Sequence, residues 1–215
     1  MRNFIKDLKI KKLLRKFKEF KQNFKFEMLE LKEKEDGSVF YDDLCLRQGK
    51  DGEWLGETDS FVNVGYINHG TAPKVLSNLF PYKFYFKGYN FGSAEAVFQS
   101  FKFKSKKAQK IVFEYSGLNA NRIKGCGDYD WTKFGVVYFL GKPIERNSKQ
   151  YEDFIDEMYV ALLFNPLFVN ALKNVNDKYI MHAMGCPDSS KTTFTRFEYE
   201  KELNCLKEFV KYAKL

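Results

Sequence analysis

Hydrophobic positions recur with helical spacing in three parts of the chain. Near the N-terminus, apolar side chains separated by three or four residues predict an amphipathic helix. They are Ile10, Leu13, Leu14, Phe17, Phe20 and Phe24. The same spacing predicts helices over 148–164 and from Phe197 to about Ala213. Pro166 follows the first of these and can begin a further short helix.

Shorter apolar runs bounded by turn residues predict strands in the middle of the chain. The predicted strands are 39–41, 53–55 and 61–67. Aromatic residues flank a lysine-glycine turn in 83–91, which is typical of a hairpin. A glycine and a serine then break the chain and cap a helix predicted from Ala94 to about Gln109. A shorter helix is predicted to start at Ser116.

The order of these elements predicts an α+β fold. We expect a mostly helical single domain around a small antiparallel sheet, with an N-terminal amphipathic helix. The length of 215 residues suits one domain with an appendage. The acidic run 33–36 and the glycine after it indicate a boundary. We therefore divide the chain into a basic amphipathic helical extension, 1–35, and a domain, 36–215.

Positive charge is concentrated at the start of the chain. The net charge is +8, and residues 1–25 hold ten basic and two acidic residues, so this segment alone carries a charge equal to the excess. Three interpretations remain open. The helix can pack on the domain with its lysines solvated, attract nucleic acid or nucleotide phosphates, or lie on a membrane surface.

Composition narrows the class of protein. The cysteines at positions 45, 126, 186 and 205 lack the spacing of a zinc knuckle or a redox pair. We expect them to be free thiols in a reducing compartment. No apolar run has the length of a membrane span or the form of a secretory signal. The expectation is a cytoplasmic protein without a metal site, a cofactor or a transmembrane segment.

Polar residues form a stripe on the helix predicted from residue 94. Glu95, Gln99 and Lys102 are spaced i, i+4 and i+7 and project within a narrow arc, which Lys106 extends. On periodicity alone, such a stripe is more typical of an ordinary solvent-exposed helix face. The turn before the hairpin, with Asn78 at its centre, indicates instead that this carboxylate could lie on the floor of a pocket.

Three short segments together resemble the signature of a known family. They are 76–81, 86–88 and 93–103, and they extend over about 28 residues. Their order and spacing are similar to those of the NADAR family, the YbiA-like proteins, whose pattern reads L-S-N-F-x-P, a short hairpin with a glycine, then S-E-H-x-x-Q-x-x-K-F. The resemblance implies the fold of that family for the domain 36–215.

This resemblance implies an N-glycosidase. The expected reaction is hydrolysis of a ribose–base bond, in ADP-ribosylated guanine of nucleotides or DNA or in ribosylamino-pyrimidine phosphates. Glu95 would stabilise an oxocarbenium-like state and orient water. Lys102 would bind phosphate, protonate the departing base or attack the ribose carbon. The substrate-binding residues implied are Ser77, Asn78, Gln99 and Trp131, the last as a ring that stacks on the base.

One part of the chain departs from the family pattern. Residues 184–195 lack the tryptophan and the glycine-rich turn that members carry before the final helix. Asp188 takes the position of the family's catalytic aspartate if the final helix stays in register, and Asp177 is the alternative. His182 is expected at a strand end or in the core. The alternative function is a non-catalytic module that binds ADP-ribose, or nucleic acid through the basic N-terminal helix.

Overall fold

The computed structural model describes most of the chain from residue 71 onward and parts of the chain before it. The described residues are 2–24, 32–33, 39–41, 44–48, 54–55, 61–64, 71–123, 126–128, 130–183 and 185–215. The helices are α1 Arg2–Asn23, α2 Thr71–Leu76, α3 Ala94–Ser100, α4 Lys106–Val112, α5 Gly117–Arg122, α6 Asp130–Lys133, α7 Lys149–Leu162, α8 Pro166–Asn174 and α9 Arg196–Ala213.

The strands are short and form several small sheets. They are β1 Lys32–Glu33, β2 Val39–Tyr41, β3 Leu44–Gln48, β4 Trp54–Leu55, β5 Phe61–Asn63, β6 Phe84–Phe86, β7 Tyr89–Phe91, β8 Val136–Phe139, β9 Lys142–Glu145 and β10 Tyr179–Met181. β1 to β4 form an antiparallel sheet in chain order, and β6–β7 and β8–β9 are antiparallel pairs. The protein is therefore α+β, with helices predominating.

The prediction of one small antiparallel sheet at the centre was incomplete. β5 and β10 pair in parallel, with Tyr179 opposite Phe61 and Met181 opposite Asn63. A parallel pair needs a crossover connection rather than a tight turn, and here that connection contains α2 to α8. Because β5 and β10 are so far apart in the sequence, no local sequence pattern indicates that they pair. The predicted strand 61–67 is present over Phe61–Asn63, and its part beyond residue 64 lies outside the described residues.

Helix boundaries in the second half follow the sequence signals. Ser148 caps α7, Asn165 caps α8 ahead of Pro166, and Thr195 forms a capping box with Glu198 at the start of α9. Each cap accepts a hydrogen bond from an otherwise unpaired amide of the first turn. The predicted helices over 148–164, after 165 and from 197 are confirmed, as is the hairpin in 83–91.

The single helix predicted from Ala94 to Gln109 is wrong. The structure has two helices, α3 and α4, with a break at residues 101–105. The buried side-chain amide group of Gln109 donates to the carbonyl groups of Ser100, Phe103 and Tyr138, and the distances are 3.1, 2.7 and 2.7 Å. The bonds to Ser100 and Phe103 satisfy carbonyl groups that a continuing helix would use, and Lys106 consequently belongs to α4 rather than to the stripe.

α1 packs on the rest of the protein through its apolar face, as its periodicity predicts. Ile10 and Phe17 are buried, and the Phe17 ring meets Phe209 of α9 edge-on at 5.2 Å. Lys21 adds ion pairs to Asp156 and Glu202, at 2.6 and 2.9 Å. The helix ends at Asn23, Lys32–Glu33 form a strand, and the boundary predicted near residue 35 lies outside the described residues.

Two further sequence expectations concern thiols and membrane spans. Cys126, Cys186 and Cys205 are free cysteines, and Cys45 lies where side chains are not described. Within the described ranges, no single helix is long and apolar enough to cross a membrane. α7 and α8 together meet that length and composition, but they are bent by 96° at the break between them.

Glu202 makes the stability of this packing dependent on pH. Burial raises the pKa of Glu202 from its usual 4.5 to about 7, and the nearby Asp156 carboxylate acts in the same direction against Lys21. The folded protein thus holds a proton that the unfolded chain releases near pH 4.5. We expect the free energy of unfolding to fall as pH rises from about 5 to about 8, because deprotonation costs more in the folded than in the unfolded state.

Urea unfolding of wild type and Glu202→Gln at these two pH values measures the effect. The variant should lose most of the pH dependence in this window, because its amide does not titrate. Glu145→Gln, which changes an exposed side chain on β9, should keep the wild-type dependence. An equal slope in wild type and Glu202→Gln would contradict this assignment.

Candidate functional site

The start of α3 is fixed against the segment before α5. The Ser93 hydroxyl accepts a hydrogen bond from the Ala96 amide at 3.2 Å and donates to the Tyr115 carbonyl at 3.1 Å. A Cβ atom at Gly92 would lie 2.6 Å from the backbone oxygens of Glu114 and Tyr115. Glycine is therefore required there, and the direction in which α3 leaves the hairpin is set by backbone contacts.

Asn78 joins the turn before the hairpin to α3 and α7. Its carbonyl group accepts a hydrogen bond from the Glu95 amide at 2.8 Å, and its side-chain oxygen accepts one from the Tyr159 hydroxyl at 2.8 Å. Ser77 is buried, and its hydroxyl accepts a hydrogen bond from the Leu79 amide at 3.3 Å. Ser77 thus shapes the turn, and Asn78 brings that turn against Glu95.

Glu95, Gln99 and Lys102 form one hydrogen-bonded chain along α3 and its end. The Gln99 amide donates to the Glu95 carboxylate at 2.5 Å, and the Lys102 ammonium donates to the Gln99 side-chain oxygen at 2.9 Å. Gln99 and Lys102 are only 5% and 8% exposed, whereas Glu95 is half-buried. The interpretation as an ordinary solvent-exposed stripe is therefore wrong, because an exposed stripe would leave the amide and the ammonium in water.

The Lys102 side chain is enclosed by a loop and a ring. The Asp128 amide donates to the Lys102 carbonyl group at 2.6 Å. Gly127 has a φ of +109° and passes so close that a Cβ atom there would lie 2.9 Å from the Lys102 Cβ. The Lys102 ammonium lies 5.5 Å from the centre of the Trp131 ring, within the range of a cation–π contact. The structure thus brings Asn78, Glu95, Gln99, Lys102 and Trp131 into one connected cluster.

Asp188 does not join this cluster through its described contacts. Its carboxylate accepts hydrogen bonds from the amide and hydroxyl of Ser190, at 2.9 and 2.7 Å, and lies 3.5 Å from the Lys191 ammonium. The hydrogen bonds from Ser190 lower the pKa of Asp188. These contacts are those of a residue that stabilises its own turn. Asp177, the alternative, pairs with Lys211 at 2.7 Å and is 99% exposed.

Aromatic residues that the sequence did not single out pack beside α3 and around Tyr159, the donor to Asn78. Phe194 stacks on Phe98 of α3, with ring centres 4.4 Å apart and an angle of 14°. It also lies close to the rings of Tyr159 and Tyr199. Burial raises the pKa of both tyrosines well above the usual value, so both hydroxyls stay protonated as donors. Tyr159 follows the apolar spacing of α7, but no sequence signal marked Phe194.

His182 follows β10, as expected for a strand-end histidine. Its Nδ1 atom lies 2.9 Å from the Val64 carbonyl oxygen, and its ring meets Tyr199 edge-on at 5.2 Å. Its backbone amide donates to the Glu200 carboxylate at 2.7 Å. These contacts hold the ends of the parallel strands β5 and β10 against α9.

The residues of this cluster lie within the region of the chain that matches a known protein family. Residues 71–208 match the family described as Bacteriophage protein GP30.3. The chain belongs to the GP30.3 family. It is also 28% identical over 135 residues to a protein of Enterobacteria phage T4 described as "Uncharacterized 17.1 kDa protein in Gp30-rIII intergenic region", a match that covers 62% of this chain and 88% of that protein. No solved structure matches the chain.

This membership corrects the resemblance drawn from the sequence. The three segments that resembled the NADAR signature all lie within the region matched by the GP30.3 family, and the identification as a YbiA-like hydrolase is wrong. The signature is short, and the residues that match it also have structural roles in this fold. Ser77 shapes a turn, Ser93 caps a helix, and Gln99 bridges two charged side chains. α1 lies outside the matched region.

The contact between Asn78 and Tyr159 generates a stability prediction. Removing the hydroxyl in Tyr159→Phe leaves the Asn78 side-chain oxygen without this donor beside a buried ring. We expect a loss of about 1 kcal/mol in the free energy of unfolding. Urea unfolding measures it, with Tyr212→Phe as the matched control on a ring that is 69% exposed. Equal stability of the two variants would show that this hydrogen bond does not hold the turn.

Proposed function

We propose that this protein is a hydrolase that cleaves the N-glycosidic bond between a ribose and a base. The observation that carries the proposal is the Glu95 carboxylate, half-buried and held by the Gln99 amide, which the buried Lys102 ammonium fixes in turn. A carboxylate positioned by partners of this kind keeps one orientation toward a ligand. The substrate classes come from the sequence expectation, and the geometry supports the roles of Glu95 and Lys102.

The cluster suits the charges that develop in such a reaction. When the bond between the ribose carbon and the base nitrogen breaks, positive charge develops on the sugar, and a carboxylate close to it lowers the barrier. Glu95 would also take a proton from the water that adds to the ribose carbon. The departing nitrogen needs a proton or a positive charge near it, and Lys102 is the buried cation of the cluster.

Two other members of the cluster fit the remaining parts of the substrate. The Trp131 ring is half-buried beside Lys102 and offers a surface on which a base can stack. The Asn78 amide group can donate to a sugar hydroxyl while its oxygen stays with Tyr159. The substrate classes proposed are ADP-ribosylated guanine, in nucleotides or DNA, and ribosylamino-pyrimidine phosphates.

Base release from these substrates, followed by chromatography, tests the proposal. Glu95→Gln keeps the shape of the side chain but removes its charge, and we expect the rate of base release to fall about 100-fold or more. Two matched controls should retain activity within about threefold. They are Glu145→Gln, on the exposed part of β9, and Asp188→Asn, in the turn of Ser190.

The alternative is a non-catalytic module that binds ADP-ribose at the same cluster. Its outcome is distinct: wild type would bind ADP-ribose in calorimetry without releasing base from any substrate. Base release that is equal in wild type and Glu95→Gln would instead remove Glu95 from the reaction. The conclusion about Glu95 requires that the Glu95→Gln variant is folded, which its unfolding midpoint shows.

A further inference from the structure

A groove separates α1 from the β6 strand and from the corner between α7 and α8. It has a volume of about 480 Å³. Lys6 and Lys9 of α1 line one side, Lys83 and Tyr85 line the other, and Phe164 lies at the corner. A second depression of about 660 Å³ shares Lys6, Lys83 and Tyr85 with the first and continues along the hairpin. We call this continuous surface the α1–hairpin groove.

The α1–hairpin groove is positively charged. The lining of the first depression contains three lysines and no carboxylate, and the second adds Glu114. Asp7 lies beside the groove, where it accepts a hydrogen bond from the Tyr85 hydroxyl at 3.3 Å. Among the ion pairs formed by described residues, none involves Lys6, Lys9 or Lys83. Their charge is therefore available to an anionic partner.

The lysines of α1 have two different roles. Lys18 and Lys21 pair with Asp153, Asp156 and Glu202 and hold the helix to α7 and α9. Lys6 and Lys9 are exposed and face the groove instead, and the Lys6 ammonium lies 5.2 Å from the centre of the Tyr85 ring. Because α1 lies outside the family match, the helix adds positive charge to a hairpin that belongs to the family region.

Aromatic rings line the same groove as these lysines. Phe164 is 48% exposed, which is unusual for a phenylalanine in a domain that buries most of its rings. Tyr85 is half-buried and presents its ring to Lys6. Lysines that follow a groove, with rings between them, are the features by which proteins bind single-stranded nucleic acid. The lysines neutralise phosphates, and the rings stack on bases that are not paired.

We propose that the α1–hairpin groove binds single-stranded nucleic acid. A duplex hides the faces of its bases, so the exposed ring of Phe164 favours a single strand over a double strand. Phosphates of the strand lie along Lys6, Lys9 and Lys83. This binding does not depend on ribosyl chemistry at Glu95, which belongs to a separate set of residues.

Fluorescence anisotropy with a labelled oligothymidine of about 20 nucleotides tests the proposal at about 50 and 200 mM salt. The triple variant Lys6→Gln, Lys9→Gln, Lys83→Gln should bind at least tenfold more weakly, and its salt dependence should be shallower by about two in the log–log slope. The matched control removes three exposed lysines elsewhere, in Lys107→Gln, Lys142→Gln, Lys173→Gln. It should weaken binding less than threefold.

Phe164→Ala separates stacking from charge. It should weaken binding of the single strand about fivefold or more and leave the weaker binding of a duplex of equal length unchanged. The groove assignment is overturned if the two triple variants bind alike, if wild type does not bind the strand at about 50 mM salt, or if duplex binds as tightly as single strand. Loss of binding to phosphatidylserine vesicles in the groove triple, with no binding of the strand, would identify a membrane surface instead.

Discussion

The end of α3 depends on the side chain of Gln109. Its buried amide donates to three carbonyl groups from two separate parts of the chain, and the Lys104 amide turns away to the Asp128 carboxylate at 2.8 Å. α3 is therefore only seven residues long. Lys102 consequently lies in the turn after the helix, where the Gly127 loop and Trp131 can enclose it. Without this break, an uninterrupted helix would carry Lys102 and Lys106 along one polar face.

Enclosing an ammonium group has a cost that its partners must offset. Removing a lysine from water is unfavourable by several kcal/mol unless charged or polar groups replace its hydration. Here the Gln99 side-chain oxygen and the Trp131 ring replace part of the hydration of Lys102. The Gln99 side-chain amide in turn donates a hydrogen bond to Glu95. A network of this kind is expected where a carboxylate needs a fixed orientation. Lys21 shows a structural use of similar contacts, since its bonds to the side chains of Asp156 and Glu202 attach α1.

Much of the fold could be predicted from local signals. Apolar spacing and capping residues placed α1, α7, α8 and α9, and a lysine-glycine turn placed the hairpin. The break after α3, the parallel pairing of β5 with β10 and the stacking of Phe194 on Phe98 could not be predicted, because each depends on groups far apart in the sequence. Helical spacing placed Glu95, Gln99 and Lys102 on one stripe but favoured an exposed face. The site roles of Asn78 and Trp131 came from a family resemblance that was wrong, because short motifs of common residues recur in unrelated folds.

The most direct test asks whether a ribosyl ligand meets the carboxylate cluster. In ¹H–¹⁵N spectra of the full chain, addition of ADP-ribose should shift the side-chain amide signals of Gln99 and the indole signal of Trp131, because both groups belong to the cluster. The indole of Trp54, which belongs to β4, is the internal reference. Shifts confined to signals outside the cluster, with Gln99 and Trp131 unchanged at saturating ligand, would contradict the site.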